Sequence, residues 1–344
     1  MRFPDFMKKE DCIGFVAPAF GCATEPYHTA FKNALKKMKQ LGFSYRLGKN
    51  VYLDEGIGIS NTPVLCANEL QSMYQDPEIK CLISCGGGEL MCEIVPYLDF
   101  TLLRNATPKW FLGYSDNTNF SFLLCTLADT AAIYGPCAAA FGMEPWHPAI
   151  QDAWDLLCGS KTTMTNYEKW EMESKKDEDH PLEPYHVTEQ FAMKTWGIQD
   201  GETISGRLIG GCLDCLSNLV GTSYDHVVDF QEKYKDEGII WFLEACDLNV
   251  FSIRRSLWNL REAGWFRYVK GFLIGRPMHY NEPMMGLDQY QAVLGILQEF
   301  DVPVVMDLDI GHTAPMMPLV LGSYATVQIH QRGEFPFEIK MEMK

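Results

Sequence analysis

The most informative segment is Lys109-Trp-Phe-Leu-Gly-Tyr-Ser-Asp-Asn-Thr118, where an apolar run enters Gly113-Tyr114-Ser115-Asp116 and passes straight into a helical pattern. A serine at a sharp strand-to-helix turn is held outward at the sheet edge. Its hydroxyl is open to a base, and the next backbone N–H and the helix N-terminus point at a developing oxyanion. The G-x-S-x-G form of that turn is not satisfied, because Asn117 takes the place of the second glycine. Helix capping is the competing use of the same residues, since Ser and Asp are preferred N-caps. Upstream, Cys85-Gly86-Gly87-Gly88-Glu89 forms another turn at a strand end, where three glycines let backbone N–H groups approach a ligand closely. It has neither the G-K-[ST] ending of a phosphate loop nor G-x-G-x-x-G spacing, and a tight turn without a ligand is the commoner outcome.

Two residues of the second half extend this chemistry. Gly238-Ile-Ile-Trp-Phe-Leu-Glu-Ala-Cys-Asp247 reads as an apolar strand interrupted near its end by Glu244. A buried carboxylate is costly unless paired, and orienting a histidine is one way to pair it. Gly311-His312-Thr-Ala-Pro-Met-Met-Pro318 sets a histidine in a Gly/Pro-bounded loop after an apolar run at 302–306. A lone histidine is usually structural, and no H-E-x-x-H suggests zinc. The 12 cysteines are scattered, and only Cys212-Leu-Asp-Cys215 has C-x-x-C spacing. No second such pair and no nearby His pair completes a zinc site, so buried reduced thiols are the expected state.

These residues need a scaffold, and the patterning of the chain supplies one. Residues 1–140 alternate short apolar runs with amphipathic segments, the βαβ signature of a parallel sheet covered by helices. Strands are predicted at 12–17, 80–84, 110–112 and 131–134, and helices at 27–41, 68–74, 90–98 and 117–128. In the first helix Phe31, Leu35, Met38 and Leu41 form one stripe, Lys36, Lys37 and Lys39 lie off it, and Gly42 supplies the stop. Residues 167–189 change character, dense in charge with two prolines. They read as a loop, serving either as a lid or binding loop or as a solvated connection. Beyond it, strands are predicted at 238–243, 271–274 and 302–306, with a helix at 252–263. The expected organisation is an N-terminal α/β domain over 1–165, a linker or catalytic loop over 166–205 and a C-terminal β/α domain over 206–344.

The 344 residues include 45 acidic and 29 basic side chains, a formal charge of −16 that repels phosphate backbones and anionic lipid headgroups. Nucleic acid and membrane surfaces are therefore not expected partners. At 47% hydrophobic and 22% charged residues the composition is that of a globular protein. The N-terminus places Glu10 and Asp11 directly after Lys8-Lys9, unlike a signal peptide. No run approaches the ~18–20 apolar residues of a membrane span. A cytoplasmic location is expected.

Together the motifs resemble the serine peptidase family that contains the murein LD-carboxypeptidases and the microcin C self-immunity peptidases, whose triad runs Ser, Glu, His along the chain. The matching pieces are Gly87-Gly88 followed by Pro96-Tyr97-Leu98-Asp99, the turn Gly113-Tyr-Ser-Asp-Asn-Thr118, Tyr134-Gly135-Pro136, Gly206-Arg-Leu-Ile-Gly-Gly211, Phe242-Leu-Glu244 and Gly311-His312. The resemblance implies Ser115 as nucleophile, His312 as general base and then acid, and Glu244 as the carboxylate orienting His312. The backbone N–H groups of Asp116 and of Gly87 or Gly88 would form the oxyanion hole. It also implies a Rossmann-like (flavodoxin-like) N-terminal domain with a parallel sheet carrying Ser115. A smaller C-terminal β/α domain would supply Glu244 and His312, with the active site at the domain interface. A homodimer is implied, as is metal-independent chemistry with no cofactor.

Two departures bear on specificity: Cys92 stands where an Asn is common in G-G-x-x-x-N, and Cys212 stands where G-G-N is usual. The strings His312-Thr-Ala-Pro with Met316 and Met317, Arg254-Arg-Ser-Leu-Trp-Asn-Leu and Gly275-Arg-Pro277 look more like the microcin C immunity branch. That branch implies a small peptide or aminoacyl-nucleotide substrate. The alternative within the family is a murein tetrapeptide LD-carboxypeptidase. The alternative of another class is a non-catalytic binding protein in which Gly86–Gly88 and the helix at Ser115 cradle an anion. For a nucleotide substrate, Trp170 or Trp196 is expected to offer an aromatic face to a purine, against the competing use of packing on apolar surface.

Overall fold

The computed structural model describes residues 1–330 and 335–344, which form two compact units. The first consists of Met1–Lys161, Glu173–His186 and Pro318–Val320. Its elements are β1 (Cys12–Val16), α1 (Tyr27–Gln40), β2 (Ser44–Leu47), α2 (Pro63–Gln75), β3 (Ile79–Ser84), α3 (Phe100–Asn105), β4 (Trp110–Gly113), α4 (Thr118–Thr126), β5 (Ala132–Tyr134) and α5 (Pro148–Leu157). The strands run β2-β1-β3-β4-β5, every pair parallel. This is the flavodoxin-like order, in which ligands bind outside the carboxyl ends of the strands. The glycine turn follows β3 and Ser115 follows β4, so both emerge at that end.

The inner strands are buried almost throughout, β4 at all four residues, and this accounts for their unbroken apolar runs, whereas the edge strand β2 is largely exposed. On α1, Ala30, Phe31, Ala34, Leu35 and Met38 face inward, while Lys37 and Lys39 in the last turn oppose the helix dipole. Pro63 opens α2 five residues ahead of the predicted start, at the first helical turn, where its missing N–H is harmless. The predicted helix at 90–98 is instead a 3₁₀ segment, Met91–Tyr97, containing Pro96. Proline cannot donate to an α-helical ladder, and short 3₁₀ turns tolerate it.

The second unit consists of Thr162–Met172, Val187–Met317 and Leu321–Lys344. It holds β6 (Thr163–Thr165), β7 (Lys169–Trp170), β8 (Glu189–Gln190), β9 (Lys194–Trp196), β10 (Thr203–Cys212), α6 (Leu213–Leu219), α7 (Val227–Lys233), β11 (Ile239–Glu244), α8 (Val250–Glu262), β12 (Val269–Gly275), α9 (Gln289–Leu297) and β13 (Val304–Leu308). After β14 (Leu319–Leu321), which lies beside β5 in the first sheet, come β15 (Tyr324–Ile329) and β16 (Phe337–Glu342). The second sheet runs β6-β16-β15-β10-β11-β12-β13-β9, parallel from β10 to β13 and antiparallel on both flanks. On α8, Val250, Ile253, Leu257 and Leu260 are buried, and the Asn249 side chain caps the helix by accepting from Ser252 N at 3.0 Å. Residues 171–188, between the paired strands β7 and β8, have no regular structure. Among the described residues no helix is long and apolar enough to cross a membrane.

Candidate active site

Ser115 leaves β4 through extended Tyr114 and takes a left-handed backbone with φ 63°. For a residue with a Cβ this conformation costs about 1–2 kcal/mol, and it persists only where surrounding structure fixes it. The fixing contacts come from buried neighbours. The Asn117 amide donates to Gly86 O at 2.8 Å and Tyr114 O at 3.0 Å. The Asp116 carboxylate accepts from Met91 N at 2.7 Å and from the Asn119 amide at 2.8 Å. Ser115–Asn117 forms a 3₁₀ turn, and Asn117 takes the N-cap position of α4.

The glycine turn closes over the serine. A Cβ on Gly87 would stand 2.9 Å from Ser115 Oγ, and one on Gly88 would stand 3.0 Å from Asp116 Oδ2. Only a bare backbone fits here. Phe20 N donates to Gly87 O at 2.7 Å and pins the turn. The backbone of Gly87 thus passes directly beside the serine side chain.

In the second unit, Glu244 ends β11 at 2% exposure, and its Oε2 lies 2.8 Å from His312 Nδ1. Gly311, with φ 96°, brings the histidine loop onto that carboxylate so tightly that a Cβ would collide with it. Burial works to lower the His312 pKa, but the Glu244 charge and the hydrogen bonds with Cys246 and Glu244 outweigh it, and the imidazole is raised well above its ordinary value. Because a carboxylate can only accept, Nδ1 carries the proton in this bond and Nε2 is the basic nitrogen of the neutral ring. That is the arrangement of a base oriented by an acid. Cys212 pairs with Glu244 across the β10–β11 register, and ligating atoms of Cys212, Glu244 and His312 all lie within 4.8 Å of one another. Each sequence-predicted residue therefore falls into one of two constellations, Ser115, Asp116, Gly87 and Gly88 in the first unit and Glu244 with His312 in the second.

Residues 13–135 match the family model of the LD-carboxypeptidase N-terminal domain, and residues 205–327 match that of the LD-carboxypeptidase C-terminal domain. The chain belongs to the LD-carboxypeptidase family. Membership makes it a serine-type carboxypeptidase or amide hydrolase. A Vibrio cholerae protein named among the carboxypeptidases is 29% identical over 329 residues, covering 92% of each chain. The microcin C7 self-immunity protein of Escherichia coli is 25% identical over 321 residues, covering 91% of this chain and 89% of its own. Among solved structures, a protein of Bacillus anthracis similar to that immunity protein matches with a TM-score of 0.83 at 23% identity over 100% of both chains.

Several features of this LD-carboxypeptidase family member lay outside the sequence reading. Asp214, inside the Cys212–Cys215 motif, accepts from Cys246 N at 3.0 Å and Asp247 N at 2.9 Å, clamping the chain as it leaves β11. Its only signal was an acid in the first turn of α6. Arg276 and Asp309 form a buried ion pair, Arg276 donates to Asp307 O at 2.6 Å, and Asp309 accepts from Tyr167 N at 2.8 Å. These bonds fix the chain between β13 and His312. The sequence reading also missed Cys246, whose thiol hydrogen-bonds with His312.

The expectation for Trp170 is corrected: the ring is buried, with Nε1 donating to Gln190 O at 3.2 Å. The Arg276 guanidinium lies over it at 4.9 Å and Tyr280 meets it at 5.0 Å. Packing, not an open aromatic face, is its use. Trp196 is half-buried on the edge strand β9, with its ring 6.1 Å from Tyr290.

Proposed function

We propose that this peptidase cleaves the amide-type bond of a small peptide or aminoacyl-nucleotide, in the manner of the microcin C immunity branch, with Ser115, His312 and Glu244 as its triad. Ser115 Oγ attacks the carbonyl carbon while its proton passes to His312 Nε2. Glu244 holds Nδ1 and stabilises the imidazolium. The N–H groups of Asp116 and of Gly87 or Gly88 receive the oxyanion. His312 returns the proton to the leaving nitrogen, and water then resolves the acyl-enzyme by the same steps in reverse order.

The observation that carries this reading is the backbone of Ser115, a strained non-glycine residue in contact with a glycine turn at the carboxyl end of a parallel sheet. Strain of this kind concentrates where geometry serves chemistry. The choice of branch is supported by the microcin C7 self-immunity protein, which is solved with glutamyl sulfamoyl guanosine and with aspartyl sulfamoyl adenosine. Both ligands join an acidic aminoacyl group to a nucleoside through a sulfamoyl link.

Hydrolysis of an aminoacyl-sulfamoyl adenylate and of a murein tetrapeptide, measured side by side, tests the proposal. Preferential turnover of the adenylate is expected. Turnover of the tetrapeptide alone would assign the protein to cell-wall peptide recycling, and turnover of neither together with tight anion binding would favour the non-catalytic alternative.

A further inference from the structure

The Cys212-x-x-Cys215 motif has no partner motif in the sequence, but the fold brings two other donor side chains to Cys212. Cys212 ends β10 directly beside Glu244 in register, and His312 reaches the same point from the loop after β13. One ligating atom from each of Cys212, Glu244 and His312 lies within 4.8 Å of the other two. Cys212 and Glu244 are each 2% exposed. In a tetrahedral zinc site with bonds of about 2.0–2.3 Å the ligating atoms stand about 3.3–3.8 Å apart, so side-chain shifts of about 1 Å close this set around a cation. Thiolate, imidazole and carboxylate are the three donor types zinc takes from proteins. A further thiol stands alongside, since Cys246 hydrogen-bonds with His312 and its Sγ lies 3.6 Å from Met278 Sδ.

We propose that Cys212, Glu244 and His312 form an inhibitory site for a thiophilic divalent cation, Zn²⁺ in the first instance. The ion is no part of the catalytic cycle. It bonds to the Cys212 sulfur as the thiol releases its proton to solvent, and it takes lone pairs from the Glu244 carboxylate and the His312 imidazole. Nothing is oxidised or reduced. An imidazole held by a cation and parted from its carboxylate cannot accept the serine proton, so binding switches hydrolysis off and chelation restores it. The inhibitory consequence rests on the proposed role of His312, whereas the binding site rests on geometry alone. An asparagine at position 212 would supply no thiolate, so the departure noted in the sequence is what creates the site.

The test separates those two parts. Cd²⁺ titrated into the full-length, metal-free protein reports thiolate ligation through ultraviolet sulfur-to-metal charge-transfer absorption, independently of activity. The wild type is expected to take up one tight equivalent with that band. Cys212→Ser is expected to lose the band of the tight site and to weaken binding by more than the about 10–100-fold that loss of an outer-sphere partner costs. Unchanged uptake and absorption in Cys212→Ser would overturn the proposal by placing the metal at other thiols. Should that variant fold poorly, zinc-edge X-ray absorption on the wild type decides: sulfur at about 2.3 Å mixed with nitrogen or oxygen at about 2.0 Å supports the site, and a shell lacking either kind refutes it. In parallel, Zn²⁺ is expected to inhibit wild-type hydrolysis reversibly and to spare Cys212→Ser. Zinc shown at Cys212 by that absorption edge, yet without inhibition, would keep the site and overturn the role given to His312.

Discussion

The Ser115 turn and the Glu244–His312 pair are held in place by opposite physical means. The serine is fixed by backbone strain and close approach, with φ 63° and a glycine whose Cβ would touch its hydroxyl. The pair is fixed by charge and burial, a carboxylate at 2% exposure bonded at 2.8 Å to an imidazole whose pKa it raises. A strained turn reveals itself in stability when the strain is relieved. A charged pair reveals itself in pH dependence. The two regions can therefore be tested separately.

The largest effect is expected at the nucleophile. Ser115→Ala should lower turnover on the order of 10⁶-fold, the loss seen when a triad nucleophile is removed. Ser115→Gly should be equally inactive yet more stable than Ser115→Ala by about 1 kcal/mol in denaturant unfolding, because glycine takes the left-handed conformation without penalty. An alanine variant as stable as the glycine variant would remove strain from the account.

Next in size is the carboxylate. Glu244→Gln should cost on the order of 10⁴ in kcat, as loss of an orienting charge does in a serine protease triad. It should also move the acid limb of kcat/KM to lower pH, because Glu244 holds the His312 pKa up and only the neutral imidazole accepts a proton. The stability sign follows. A raised folded pKa means that protonated His312 contributes stability fully below its unfolded value of about 6.5. That contribution is lost as pH rises through the folded value. Melting temperatures recorded against pH should show this loss in the wild type and a weaker one in Glu244→Gln. An unmoved acid limb would mean that another group is the base.

Two glycine substitutions sharpen the contrast. Gly87→Ala displaces the serine hydroxyl and should lower kcat by about 10²-fold, the order of effect of a misplacement near 1 Å, with little change in melting temperature. Gly311→Ala should lower both activity and stability, since its φ of 96° disfavours any Cβ and the methyl would meet Glu244. The smallest effect is expected for Cys92→Ala, a half-buried thiol given no chemical role, which should retain activity. Complete loss there would move the nucleophile away from Ser115.

The legible parts of the sequence were those where local chemistry and the fold ask for the same thing. An apolar run ending in Gly-Tyr-Ser-Asp can hardly be anything but a strand entering a turn, and Glu244 stood out because a carboxylate interrupts an apolar strand. Burial made the inner strands of the first sheet readable as apolar runs, whereas the exposed edge strand β2, Ser-Tyr-Arg-Leu, carried no such signal. Long-range pairing was not readable. Asp214 gives no hint that it clamps Cys246 and Asp247, and the ion pair of Arg276 with Asp309 joins residues 33 apart. The helix predicted at 90–98 failed because its apolar spacing suits α and 3₁₀ geometry alike, and Pro96 decides between them. Trp170 misled because aromatic residues in charged loops look available until a partner such as Arg276 covers them.

Covalent trapping tests the central claim most directly. A serine-directed phosphonylating reagent, followed by peptide mapping, should place one label per chain on Ser115 in the wild type. Labelling should be absent in Ser115→Ala and greatly slowed in His312→Ala. A label on any other residue, or a Ser115 labelling rate unchanged by loss of His312, would contradict the triad.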